Sequence, residues 1–253
     1  MSVPQERITT AVILAAGEGS RLRGSAASKP LCPVAGRPMI DHALDNLAQA
    51  GIRRVVLVLG YRGDEIAAHL ANGVQPVAIE IVWSDPRLPN GVSVLAAASA
   101  VGKDDALLLM CDHLVDPALY ARVAAEGAGS GLTLGIDRRL GHDWVDPLDV
   151  TCVATLGRRI VAIGKGLEPH DCYDTGVFAI GPKLFAALAT LDAPSLTEGV
   201  RILAATGDAG VVDCSDLDWI DVDDASALAK AETWRAGHGK ASKSAHDDAA
   251  RQF

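Results

Sequence analysis

Short apolar, β-branched runs alternate with segments of helical spacing along the first half of the chain. Residues 9–16 (Thr-Thr-Ala-Val-Ile-Leu-Ala-Ala) predict a buried strand ending in a Gly-containing loop. Met39, Ile40, Ala43, Leu44 and Leu47 recur at the spacing of one helix face across 38–50, and Gly51 stands where such a helix ends. Further strands are predicted at 54–59, 77–83 and 106–111, with helices at 64–70 and 92–101 between them. Strands alternating with helices at this interval imply a parallel sheet wound by crossover connections.

Past residue 115 the pattern changes. After a helix at 116–126, strands at 132–136, 150–155, 160–163 and 173–180 follow with few helices between them, and Leu156-Gly157-Arg158-Arg159 has the look of a hairpin turn. Helices return at 182–191 and 196–205, a short strand at 211–212 leads to an extended segment at 219–222, and a last helix spans 225–235. Residues 236–253 offer little apolar content, so a flexible tail is expected there. No internal repeat is present. The expectation is one α/β domain over 1–235, with halves at 1–115 and 116–235. Its central sheet is mainly parallel and flanked by helices, with a smaller mixed β region in the second half.

Composition narrows the class. The 253 residues suffice for a substantial core. Hydrophobic residues make up 49% but aromatic ones only 4%, which suits Ala-rich helices on Val/Ile/Leu strands. No uninterrupted apolar run reaches the roughly 20 residues of a membrane span, and the first residues lack a secretion core. A cytoplasmic location without a membrane span is expected. Cys32, Cys111, Cys152, Cys172 and Cys214 are widely spaced with no CxxC pair, so free thiols are expected. A formal net charge of −9 argues against a nucleic-acid partner. It leaves room for phosphorylated small molecules held by a few local cations and a metal. A homodimer is compatible with the sequence.

The segment Leu14-Ala15-Ala16-Gly17-Glu18-Gly19-Ser20-Arg21-Leu22, followed by Ser28-Lys29-Pro30-Leu31, carries the most chemistry. Small residues at 15–17 and Gly19 let the backbone approach a ligand, and their N–H groups suit phosphate oxygens. Arg21 and Lys29 supply charge. A dinucleotide fingerprint would need a third Gly where Leu22 stands, and an acid where the next strand runs into Gly60-Tyr61-Arg62. A P-loop would need GxxxxGK followed by Ser or Thr, and none occurs. Both motifs fail, which disfavours an oxidoreductase.

The segment instead resembles the signature of the sugar-nucleotidyltransferase superfamily, GxGxRL followed by a basic loop and KPL, with Ser28 where that family often has Pro. The resemblance extends along nearly the whole chain, through Ala35-Gly36-Arg37-Pro38-Met39-Ile40, Asp112, Ile163-Gly164-Lys165, Asp174-Thr175-Gly176-Val177-Phe178 and Trp219-Ile220-Asp221-Val222-Asp223. Asn90-Gly91-Val92-Ser93, the Cys111-Asp112-His113 turn and the pairing of the last two central motifs look most like the CTP:inositol-1-phosphate cytidylyltransferases.

This resemblance implies a Rossmann-like nucleotidyltransferase fold and a Mg²⁺-dependent enzyme that joins CTP to a phosphorylated alcohol. Leu14, Ala15, Ala16, Gly17, Gly19, Ser20, Arg21, Lys29, Asn90, Gly91, Ser93 and Asp112 would bind the nucleotide. Arg21, Lys29 and Lys165 would be catalytic, the last receiving the acceptor phosphate. Asp112 with Asp221 or Asp223 would hold Mg²⁺, Asp221 being preferred. Asp137, Asp174 and His113 would join Lys165 at the acceptor, although structural roles explain these three as well, and a turn and helix cap nearly account for Asn90 and Ser93. The choice of CTP rests on the resemblance alone. Abundant carboxylates at 137–149 and 174, and few aromatics, suit a polyhydroxylated ring better than a quaternary ammonium. A hexose 1-phosphate or another phospho-alcohol with another nucleotide stays open, as does a nucleotide-binding regulator without catalysis.

Overall fold

A computed structural model describes residues 7–22 and 28–234. In chain order, β1 (Thr10–Ala15) leads through the Gly-containing loop and the short strands β2 (Pro33–Val34) and β3 (Arg37–Pro38) into α1 (Met39–Gln49). The first half continues with β4 (Arg54–Leu59), α2 (Gly63–Ala71), β5 (Ala78–Trp83), α3 (Asn90–Ala96), α4 (Ala98–Val101) and β6 (Ala106–Met110). The second half begins with β7 (His113–Val115), α5 (Pro117–Glu126), β8 (Leu132–Asp137), β9 (Thr151–Leu156), β10 (Arg159–Lys165) and β11 (Cys172–Ile180). It ends with α6 (Pro182–Leu188), α7 (Leu196–Ala205), β12 (Ala209–Asp213), β13 (Trp219–Asp221) and a helix α8 at 225–234.

A nine-stranded sheet in the order β5-β4-β1-β6-β11-β8-β12-β10-β9 forms the centre. The β5, β4, β1 and β6 strands are parallel, as the first-half pattern implies. Antiparallel β11 joins β6 to the second half, where only β12 and β8 run parallel, so the mixed region extends the same sheet. Alternation along β1 explains why both faces are covered. Ala11, Ile13 and Ala15 enter a core beneath α1, α2 and α5, while Val12 and Leu14 enter the one beneath α3, α6 and α7.

Local signals account for several boundaries. Asp116 caps α5, accepting from the Ala118 backbone N–H at 2.8 Å, and Ser195 with Glu198 forms a capping box at the start of α7. The helix expected at 92–101 starts two residues earlier and breaks at Ala97 into α3 and α4. That expected at 182–191 ends at Leu188.

A third, smaller core positions the ligand loops. Leu22 and Val34 from the motif loop, Leu114 from β7, Ile220 and Val222 around β13, and Ala231 and Trp234 of α8 pack together. Within it, β7 and β13 pair antiparallel with His113 opposite Asp221, and the Val222 N–H donates to the Asp112 carbonyl at 3.0 Å. The sequence pattern shows neither this pairing nor β7. All five cysteines are free, as expected, and all are buried. Among the described residues no helix is long and apolar enough to cross a membrane. The expected tail at 236–253, and residue 235 of the last helix, lie outside the described residues.

Candidate active site

Two clefts of about 370 Å³ each open at the C-terminal ends of β1 and β6, where open α/β sheets place their ligands. The first is lined by Leu14, Ala16, Gly17, Gly19 and Lys29, with Leu88 and Ser93 opposite. The second is lined by His113, Trp144, Asp149, Lys165, Asp174 and Asp221, among others. Arg21, Asn90, Met110, Asp112 and Asp223 line both and form their common wall.

The loop after β1 is built to leave room. Gly19 has φ of +55°, and a Cβ there would lie 2.5 Å from Lys29 Cβ, so the loop can fold over Lys29 only with Gly at this position. Space around Gly17 is open. Lys29, only 9% exposed, directs its Nζ onto both Asp112 Oδ2 and Asp223 Oδ1. Arg21 is 55% exposed and reaches Asp149 Oδ2 at 2.7 Å and Asp223 Oδ2 at 2.9 Å.

Opposite these cations the carboxylates converge. Asp112 follows β6, and the β7–β13 pairing brings Asp221 beside it. His113 Nδ1 is 2.9 Å from Asp112 Oδ1 and 3.8 Å from Asp221 Oδ1. The imidazole stacks on Trp219 at 6.0 Å and lies over Gly176, whose φ of +75° and missing Cβ make space for the ring. Burial lowers the Lys29 pKa, but Asp112, Asp223 and Asp221 outweigh it and hold the ammonium well above the ordinary lysine range. Burial raises Asp112, yet Lys29 and the His113 hydrogen bond bring it well below the usual carboxylate range. His113 is lowered by burial and raised more strongly by Asp221 and Asp112, to about 9. Asp221 is pushed up to about 7 by burial, with Asp112 and Asp223 adding and His113 opposing.

Among the described residues, buried Asp221 Oδ1 has no hydrogen-bond donor, an expensive state for a carboxylate oxygen unless a cation meets it. Carboxylate oxygens of Asp149, Asp221 and Asp223 lie within 4.8 Å of one another, as do the ligand atoms of Asp112, His113 and Asp221. Hard oxygens in this arrangement fit Mg²⁺, and Asp221 is common to both groups.

Most expected residues meet at this place, with several differences. The Ala15 side chain turns into the core beneath α1. Gly91 lines neither cleft; its lack of a side chain lets α3 approach the Pro194 carbonyl, which a Cβ would meet at 2.5 Å. Asn90 Oδ1 accepts from the Leu196 N–H at 2.8 Å, tying α3 to α7, and Ser93 donates to Ser84 at 3.1 Å. Lys165, 58% exposed, pairs with Asp149. Asp174 lines the second cleft and accepts from the Gly176 N–H at 2.7 Å, while burial pushes it up to about 6. Ser20 starts a short 3-10 turn over Ser20–Leu22.

Asp137 requires a correction. It is fully buried, lines neither cleft, and its oxygens accept from Arg139, from Trp219 Nε1 at 2.9 Å and from the His142 ring at 3.2 Å. No lone pair is left for an acceptor hydroxyl; the residue anchors Trp219, against which His113 stacks. His113 itself is committed through Nδ1 to carboxylates. Asp149, counted in the sequence only among the carboxylates at 137–149, is the residue to which sequence reasoning gave no role of its own. It belongs to an acid-rich loop between β8 and β9, and nothing in its spacing separates it from Asp143 or Asp146.

A parallel nucleotide half with a Gly-containing loop, two cations on a cluster of carboxylates and a second cleft behind them define a nucleotidyltransferase. The chain matches the MobA-like NTP transferase domain over residues 11–208 and belongs to that family. It is 31% identical over 239 residues to a bifunctional IPC transferase and DIPP synthase of Rubrobacter xylanophilus, covering 87% of this chain and 52% of that one. It is 38% identical over 168 residues to the bifunctional protein GlmU of Sinorhizobium medicae, covering 66% and 36%. The chain thus spans about half or less of the length of these curated relatives. Among solved structures, the inositol-1-phosphate CTP transferase of T. maritima aligns with a TM-score of 0.77 and 26% identity over 88% of this chain and 92% of that one. A UDP-glucose pyrophosphorylase from Acinetobacter shares the fold, with a TM-score of 0.75 and 20% identity over 89% and 92%.

Proposed function

We propose that the protein condenses CTP with inositol 1-phosphate, releasing pyrophosphate, in a Mg²⁺-dependent reaction. The observation that carries this reading is the common wall of the two clefts. Arg21, Asp112 and Asp223 face both, so a triphosphate in one cleft and a phosphomonoester in the other would meet there. CTP and inositol 1-phosphate are supported by the T. maritima neighbour, and the ring hydroxyls by the carboxylate-rich second cleft.

The reaction brings two anions together, so repulsion is the first barrier. A phosphomonoester is largely dianionic at neutral pH, its second pKa being about 6, and its oxygen attacks without a general base. That oxygen forms a bond to the α-phosphorus while the bridging oxygen to the β-phosphorus leaves with pyrophosphate, in line. Arg21 binds the outer phosphates with its fork of donors. Lys29, charged throughout because three carboxylates surround it, stabilises the growing charge on the leaving group. Lys165 orients the attacking phosphate. Asp112, Asp221 and Asp223 would hold Mg²⁺, which would supply charge neutralisation at the phosphates.

A pyrophosphate-release assay over a grid of nucleotides and phosphorylated acceptors, with and without chelator, tests the proposal. The expected maximum is CTP with inositol 1-phosphate, abolished by EDTA and restored by Mg²⁺. Losing two hydrogen bonds to ring hydroxyls at about 1–3 kcal/mol each should make phosphocholine roughly 30-fold or more less efficient. Faster turnover of a hexose 1-phosphate or phosphocholine would overturn the acceptor assignment and leave the transferase class standing.

A further inference from the structure

One carboxylate stands between the cations assigned to the two substrates. Asp149 ends the loop that precedes β9, with its N–H on the Asp146 carbonyl at 3.1 Å. Its Oδ2 accepts from Arg21 Nη1 at 2.7 Å, and its Oδ1 from Lys165 Nζ. Arg21 lies on the wall of both clefts, whereas Lys165 lines the second alone. The two cations are 55% and 58% exposed and the carboxylate only 20%, so flexible arms converge on a more firmly held anion.

We infer that Asp149 is a positioning residue that couples the two clefts, acting as a built-in anion shared by the donor-binding and acceptor-binding cations. The inference rests on the assignment of Arg21 to the triphosphate and Lys165 to the acceptor phosphate. Before substrates arrive, Asp149 holds Lys165 and, together with Asp223, Arg21 at the wall between the clefts. A phosphate carries more charge than a carboxylate and takes the guanidinium from it. Asp149 is then left to Lys165 and holds it more firmly. The second substrate must strip that carboxylate of the other of its two bridging cations. An anion shared by two sites, satisfied while either cation stays, therefore makes their ligands bind with negative coupling, and that coupling is reciprocal.

Calorimetric titration of the full chain in Mg²⁺ tests this without turnover, using α,β-methylene-CTP and inositol 1-phosphate, alone and together. Wild type, Asp149→Asn and Asp149→Ala are compared, with melting curves confirming that each is folded; the near-isosteric Asn variant serves if the Ala variant is not. Without acceptor, the variants should bind the analogue more tightly, by on the order of fivefold. In wild type each ligand should weaken the binding of the other, and that mutual weakening should shrink in both variants; mutual tightening in wild type would overturn the inference. Analogue affinity and coupling equal to wild type would overturn the role of Asp149 alone. Weaker analogue binding by both variants would also overturn it and make Asp149 a support of the metal. Absence of analogue binding by wild type would sink the nucleotidyltransferase reading together with it.

Discussion

At the scale of single residues, the site sets charges against one another in a small, partly dry volume. Asp112 is the point where the cation and metal functions meet, since it faces Lys29, His113 and the position of Asp221 together. Asp112→Asn should leave the melting temperature near that of wild type and reduce kcat on the order of 100-fold or more. Near-normal turnover in the folded variant would remove Asp112 from the machinery. Asp137 predicts the opposite separation. Asp137→Ala leaves Arg139 and the Trp219 N–H without their buried partner and should cost about 3–5 kcal/mol of stability in a denaturant melt. The Asp137 carboxyl lies below its ordinary value: burial raises it, and hydrogen bonds from Arg139 and Trp219 together outweigh that rise and lower it. With an unfolded value of about 3.9, its contribution is fully present above that pH and lost as pH falls through the lower folded value. Asp137→Asn should therefore flatten the acid limb of stability against pH; an unchanged limb would assign acid unfolding to other groups.

Among the elements, the short contacts decide function. Asn90 and Gly91 stand in a motif that suggests nucleotide binding, yet Gly91 serves the packing of α3 on the turn before α7. Gly91→Ala would place a methyl group against the Pro194 carbonyl, a backbone atom that cannot swing aside. A loss of about 1–3 kcal/mol is expected, read by urea melts, with KM raised for both substrates because the neighbouring Asn90 lines both clefts. Unchanged stability would show that the turn gives way freely. The long elements were legible in the sequence: Arg54–Leu59 forms as its continuous apolar run implies, buried on both faces, and Leu196–Ala205 as its helical period implies, with one buried face. β7 was not, since three residues carry no period and gain their ladder only from a partner more than a hundred positions away.

For the whole molecule, the two halves present two binding surfaces to one wall, and their chemistry should separate. Lys165→Ala, from the second half, should raise the KM for the phosphorylated acceptor at least about tenfold, as expected for a lost charged hydrogen bond. The nucleotide dissociation constant should stay near that of wild type. If calorimetry showed nucleotide binding abolished and acceptor dependence intact, the assignment of the clefts would be reversed. α8 closes the arrangement from outside the sheet. The Ala35 N–H donates to Glu232 at 2.9 Å and Lys230 donates to the Asp143 carbonyl at 2.7 Å, so one helix ties the β2–β3 turn to the β8–β9 loop.

The sequence by itself determined the alternation of strands and helices, the Gly-containing loop and the identity of most charged groups. Those features depend on residue type and near-neighbour spacing: an apolar period, a small residue where the chain turns, an Arg or Lys beside it. Tertiary structure decided which of the many aspartates meet. Asp112, Asp149, Asp221 and Asp223 converge because β7 pairs with β13 and the β8–β9 loop folds back over the sheet. Asp137, equally suggestive as a letter, turns inward at the end of β8 and is consumed by Arg139, His142 and Trp219. An exposed charge and a buried one are the same residue until packing sets the dielectric and the partners around them, and that is information no local pattern holds.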